Sequence, residues 1–295
     1  SKQFRSRPGL FGVFLSSKAG LLFGGFLLAN LLSFVNAIEV LESVIQFAKV
    51  STIFSAALIF TAILTSDMRF VRFVILVGFG MLIFDSLTVF YFIGKFIAGE
   101  IDSIFEIKSV YSNKNILASA VFVKIPFALW LLVFEKGWIK KLAVFALLIS
   151  FMATFFLVTR GFYIGLIAIS IAFIVYSVVQ FNREKNISRI KTLAAYIGAL
   201  VIAVAAFTFT QRNLYSVREG RDAQGVVEQI ASIRGDASTS TRVDAWTWSF
   251  KILKDNPILG TGAGNWKIAI LEHENQVKNG YIYLYKAHND FIEIS

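Results

Sequence analysis

Seven stretches of this sequence, at roughly 19–36, 43–65, 70–98, 116–134, 142–159, 161–180 and 192–210, are apolar almost throughout. A helix needs about 20 apolar residues to cross a bilayer, and these stretches are that long or nearly so. Lys or Arg marks most of their edges. Composition agrees: 56% of residues are hydrophobic and 16% charged, with a mean hydropathy of +0.68, against about 45–50% and ~25% in a soluble domain. The excess apolar surface has no aqueous home. The expected fold is an all-α polytopic membrane helix bundle with a large extracytoplasmic loop that contains amphipathic helices.

The net charge is +10. In a soluble protein that could point to nucleic acid; between membrane spans it reports topology, because Lys and Arg collect on the cytoplasmic side. With the N-terminus inside, thirteen Lys and Arg fall in inner segments (Lys2 to Lys18, Arg69 and Arg72, Lys136 to Lys141, Arg183 to Lys191). Among the short loops up to residue 210, only three, Lys108, Lys114 and Arg160, fall outside; the rule counts short loops, so the long segment 211–295 is left out of it. The first outer loop, 36–42, is acidic. The expected domains are therefore a transmembrane bundle over 1–210 and an extracytoplasmic loop over 211–295. Cysteine is absent, which removes thiolate catalysis, disulfides and Cys-ligated zinc. No stretch has the short apolar core and small-residue cleavage site of a signal peptide.

Within the outer loop, 212–240 is rich in charge, Gly and Ser and reads as irregular. Thr241 and Asp244 then fit a capping box at a helix start. Val243, Trp246, Phe250 and Leu253 come next at spacings of three and four and make one apolar stripe. Pro257 ends the helix near Asp255–Asn256. Trp246 and Trp248 either rest at the membrane interface, where amphipathic rings collect, or pack the helix onto the bundle. Gly260, Gly262 and Gly264 do not have the G-x-G-x-x-G spacing of a dinucleotide site. They read as a tight turn that needs positive φ or close backbone approach.

Both histidines lie in this loop. His273, between Glu272 and Glu274, lacks metal-site spacing and reads as a loop residue. His288, in A-H-N-D before Phe291, is either a loop residue or a proton acceptor with a pKa near neutrality. Arg160, in T-R-G, is either an interfacial residue or an anion-binding fork. Lys49, Lys95 and Lys124 lie in or near spans, where charge is expensive; Asp85 is the obvious ion-pair partner for Lys124.

Five local patterns occur in order: Y-S-N-K-N-I-L-A (Tyr111–Ala118), T-R-G (Thr159–Gly161), R-V-D-A-W (Arg242–Trp246), N-P-I-L-G-T-G-A-G-N-W (Asn256–Trp266) and A-H-N-D-F (Ala287–Phe291). Their order, with a large outer loop holding the last three, resembles the O-antigen ligase and polymerase superfamily of bacterial inner-membrane proteins. The resemblance covers Tyr111 to the end. It implies a glycosyltransferase whose donor is a glycan on undecaprenyl diphosphate in the outer leaflet. The implied acceptor is a sugar hydroxyl of lipid A–core or, in a polymerase, a growing glycan. No cofactor, catalytic metal or nucleic-acid partner is implied; membrane lipid surrounds the enzyme, and its site faces the periplasm. By matching motif positions, Arg160 and Arg242 bind the donor diphosphate and His288 positions or deprotonates the acceptor hydroxyl. Asn289 and Trp246 join the substrate-binding set, and Asp290 stands beside the histidine. Family members continue past the position of Ser295 with further membrane helices, so a fragment is expected. A transporter is the alternative of a different class, and its site would be Lys124 and Asp85 near the bilayer midplane.

Overall fold

The computed structural model describes residues 12–101, 107, 109–157, 159–210 and 237–271. All regular structure among them is helical. A short α1 (Gly12–Leu15) leads into α2 (Lys18–Leu32), a 3₁₀ turn (Ser33–Asn36) and α3 (Val40–Ser66). Then come α4 (Met68–Ala98), α5 (Lys114–Phe134), α6 (Gly137–Phe156), α7 (Arg160–Glu184) and α8 (Ile187–Thr210). Two helices complete the last part, α9 (Ala237–Asp255) and the single-turn α10 (Trp266–Ala269). Seven helices among the described residues are long and apolar enough to cross a membrane, and they coincide with the seven apolar stretches of the sequence. The protein is an all-α, multi-pass membrane bundle.

Several helices begin earlier than their apolar cores. Helix α6 starts at Gly137, five residues before the apolar run, and carries Lys140 and Lys141 in its opening turns. A long Lys stem lets the ammonium reach a polar partner while the backbone stays helical. Lys140 Nζ donates to Thr192 Oγ1 at 2.7 Å.

By internal packing the chain divides into two units, residues 1–71 with 234–295, and residues 72–233. The first unit holds α2 and α3, joined by the 3₁₀ turn and a link that ends at Glu39. These two spans bury little of their own surface: Gly20 and Asn30 on α2; Ser43, Val50 and Ala62 on α3. Edge-on ring contacts hold them together, Phe23 against Phe54 at 5.1 Å and Phe34 against Phe47 at 5.9 Å.

The second unit is the better-packed bundle. Helix α6 lies against α5 and α8, and its inward positions alternate small and large: Ala143, Ala146, Leu147, Ser150, Phe151 and Ala153 are all buried. On α8, Ala199 and Ala203 face it. Small residues let helices approach closely where lipid offers no hydrophobic drive for association. Ser86 of α4 and Ser150 of α6 share a buried hydrogen bond of 3.0 Å. Gly165 of α7 lies under the tip of the Phe122 ring of α5: a Cβ there would stand 2.6 Å from it, so the ring would have to shift.

Candidate functional site

The part of the first unit that carries the loop motifs is built on the link between α2 and α3. Helix α9 ends at Asp255, where Pro257 was expected to end it, and Asn256 N–H closes the last turn on Ile252 O at 3.0 Å. Its start is five residues earlier than the capping-box pattern placed it, at Ala237 instead of Arg242. The backbone is already helical at Ala237, so Thr241 is an interior residue. Ala is the best helix former, and Ser and Thr cost little near a helix start, so the hydroxyl-rich run 238–241 extends the helix instead of capping it.

After Pro257 the chain turns through three glycines with positive φ, +59° at Gly260, +91° at Gly262 and +81° at Gly264. At Gly262 any side chain would also collide: its Cβ would stand 2.6 Å from Ala37 Cα. At Gly264 it would meet Glu42 O at 3.0 Å. The glycines are turn-makers that let backbone lie on backbone, as the spacing suggested.

Asn265 locks that contact. It is fully buried. Its Oδ1 accepts from Glu39 N–H at 2.8 Å, and its Nδ2 donates to Ser43 Oγ at 2.9 Å. Beside it Ala263 N–H donates to Ser33 Oγ at 3.0 Å, and Ile38 N–H donates to Thr261 O at 3.3 Å. Lys267 Nζ and Glu42 form an ion pair at 2.8 Å. The next link runs to α9. Trp266 Nε1 donates to Ser249 Oγ at 2.7 Å, and Ala245 packs against Trp266 and Ile270. So the turn fastens α9, through α10, to the loop between the first two spans.

Arg242 lies on this held helix, one turn before Ala245, with its side chain exposed. Trp246 is half-buried on the same helix. The stripe Val243–Trp246–Phe250–Leu253 is not the most buried face of α9, although Trp246 and Leu253 are half-buried on it. Ala245 and Ser249 are buried, whereas Val243 is 50% and Phe250 60% exposed. A small-residue face wins the contact because it admits the Trp266 indole and gives that indole's N–H a hydroxyl acceptor.

Arg160 opens α7 in the second unit, after Thr159 at the N-cap position. Thr159 Oγ1 approaches Asn115 Oδ1 at 3.4 Å, and Asn113 caps α5 by accepting from Asn115 N–H and Ile116 N–H at 2.9 and 3.0 Å. His273, His288, Asn289 and Asp290 lie outside the described residues.

The second unit also bears out the intramembrane pair. Lys124 Nζ sits 2.6 Å from Asp85 Oδ2, and Tyr111 OH donates to the same oxygen at 3.1 Å. Lys124 further donates to Ala120 O at 3.0 Å. A charged, buried pair of this kind ties the segment before α5 to α4. Tyr111, Asn265, Ser33 and Ser43 carry this architecture without having been singled out in the sequence. Tyr111 and Asn265 do stand inside quoted motifs. Ser33 and Ser43 have no local signal, since only a partner more than 200 residues away makes them matter.

A family model described as O-antigen ligase matches residues 144–295, about half of the chain. That span contains Thr159–Gly161, α9, the glycine turn and Ala287–Phe291. No curated protein and no solved structure matches the chain.

Proposed function

This chain belongs to the O-antigen ligase family, and on that premise we propose that it transfers a glycan from undecaprenyl diphosphate to a sugar hydroxyl of lipid A–core. The family match over α9 and the glycine turn is the observation that carries the reading.

The chemistry asks for a cation where charge develops and a base where a proton leaves. As the acceptor oxygen bonds to the anomeric carbon, the bond from that carbon to the diphosphate oxygen breaks. The electron pair stays on the diphosphate, and the hydroxyl proton passes to a base. Attack opposite the leaving group inverts the anomeric centre. Arg242 suits the leaving group: a guanidinium pairs bidentately with phosphate oxygens, and here it is exposed on a helix held by buried hydrogen bonds. Preorganisation of that kind stabilises developing charge at little reorganisation cost. Arg160 is assigned the same diphosphate chemistry, supported by its place in the first turn of α7, where free backbone N–H groups also favour an anion. His288 is assigned as the base, with Asn289 and Trp246 in the substrate-binding set. No covalent nucleophile and no metal is used. The thirteen-to-three split of Lys and Arg across the short loops supports a periplasm-facing site in the inner membrane.

The test is a glycan ladder from cells lacking the protein, complemented with wild type, Arg242→Ala or His288→Ala. Expected is loss of polymer on lipid A–core, with undecaprenyl-linked polymer retained, in the deletion strain and in both variants while each inserts normally. Single repeat units on the core would assign the chain to polymerisation instead. Normal transfer by either variant would overturn the residue roles.

A further inference from the structure

Helix α9 has three faces. At about 100° per residue, Ala245, Ser249 and Ile252 cluster on the side that meets α10. Asp244, Thr247 and Lys251 cluster opposite, all exposed. Between them runs the stripe of Val243, Trp246, Phe250 and Leu253; Val243 and Phe250 are half or more open, and Trp246 and Leu253 are half-buried. A scattered exposed apolar side chain is ordinary on any protein surface. A stripe gathered on one helix sector and bordered by charged side chains is a pattern that a helix lying in a membrane interface can use.

We propose that α9 is such a helix, with its Val243–Phe250 face seated in the bilayer at the boundary of headgroups and acyl chains. Three observations name lipid as the occupant. First, the anchor of α9 is a membrane boundary. Residues 33–39 join two consecutive spans, and Asn265 and Ala263 are hydrogen-bonded to that link at Glu39 and Ser33 and to Ser43 in the first turn of α3. Trp266 then touches α9 at Ser249. The helix therefore stands within one or two helix widths, each about 10–12 Å, of the point where α3 enters the membrane. Second, the apolar surface is continuous in kind across this unit. On the link Val35 is 79% and Ile38 54% exposed, at the start of α3 Leu41 is 63% exposed, and in the turn after α9 Ile258 is 89% exposed. Third, the border is charged and exposed: Lys251 and Lys254 stand there with Asp244 and Asp255, a polar edge that stays in the headgroup region, where the two lysines meet lipid phosphates.

Arg242 lies on α9 between the packed face and the stripe. An interfacial seat sets its guanidinium at headgroup depth, the level of a lipid-linked diphosphate. The seat itself stands on exposure and anchoring, independent of the transfer reaction.

The sequence contains no cysteine, so single cysteines introduced at positions 243, 250, 247 and 251 each report one site without background. The full chain, reconstituted in vesicles of phosphatidylethanolamine and phosphatidylglycerol, is labelled with a nitroxide at each position. Power saturation then compares access of oxygen with access of a water-soluble nickel chelate. Expected is an oxygen-to-nickel ratio several-fold higher at 243 and 250 than at 247 and 251. Equal nickel access at 250 and 251 would put the stripe in water. Exclusion of both reagents from 243 and 250 would show protein covering it. Either result overturns the proposal. Two reporters on the stripe guard against one substitution disturbing the fold, since Val243→Cys and Phe250→Cys are separate proteins.

Discussion

Replacing Lys124 by Met should cost about 3 kcal/mol of stability, the low end of the range for removing one partner of a buried ion pair. The value comes from the group left behind. Asp85 is 2% exposed, and its Oδ2 takes both the Lys124 ammonium at 2.6 Å and the Tyr111 hydroxyl at 3.1 Å. Without the lysine, one neutral donor faces a buried carboxylate. Asp85→Asn should be milder, about 2 kcal/mol. Lys124 keeps the Ala120 carbonyl at 3.0 Å and the Tyr111 oxygen at 3.3 Å, and its side chain retains 13% exposure. The double variant carries no buried charge at all. Exchanging both members of a buried pair for neutral groups is often near neutral, so its cost should be about 2 kcal/mol, mostly repacking. The double should then fall about 3 kcal/mol short of the summed singles, at the top of the range for residues in contact. The assay is reversible unfolding in mixed micelles against SDS mole fraction, tracked by far-ultraviolet circular dichroism. Additivity within about 0.5 kcal/mol would mean that the two charges do not meet, and the account of how α5 is tied to α4 would fail.

Two further substitutions probe the turn under α9. Asn265→Ala strips Glu39 N–H and Ser43 Oγ of their partner; at about 1–3 kcal/mol for each buried group left unsatisfied, it should loosen α9 and raise hydrogen exchange across 242–255, while exchange in α6 stays unchanged. Gly262→Ala should cost more than about 2 kcal/mol, because φ is +91° and a Cβ would meet Ala37 Cα at 2.6 Å, adding backbone strain to overpacking; Gly24→Ala on α2, where nothing lies within 4 Å, serves as the control, and equal melting temperatures for the two would refute the close-approach argument.

Much of this protein was legible in the order of its residues. Seven apolar runs specify seven spans because a backbone in lipid must satisfy its own hydrogen bonds, and that constraint acts within one segment at a time. The same is true of Pro257 ending α9 and of the glycines, whose φ is a local property. The candidate residues Arg160, Arg242, Trp246, His288 and Asn289 rest on motif likeness, which is also read along the chain, and the family match over 144–295 extends that likeness. The intramembrane pair was half legible: charge inside a span demands a partner, and Asp85 was the nearest candidate for Lys124, but the Tyr111 hydroxyl on the same oxygen was not foreseen.

What the tertiary structure decided is which faces meet. The period of α9 marked Val243, Trp246, Phe250 and Leu253 as one face, and periodicity alone does not say what that face touches. The packed contact goes to Ala245 and Ser249, because a small surface admits the Trp266 ring and gives its N–H an acceptor. Asn265 is one polar residue in a glycine-rich motif until the fold brings it to Ser43 and Glu39, 222 and 226 residues away in sequence. Local geometry is written in neighbouring residues and can be read from them. A hydrogen bond across more than 200 residues exists only once both ends are placed, and here such bonds hold the helix that carries Arg242.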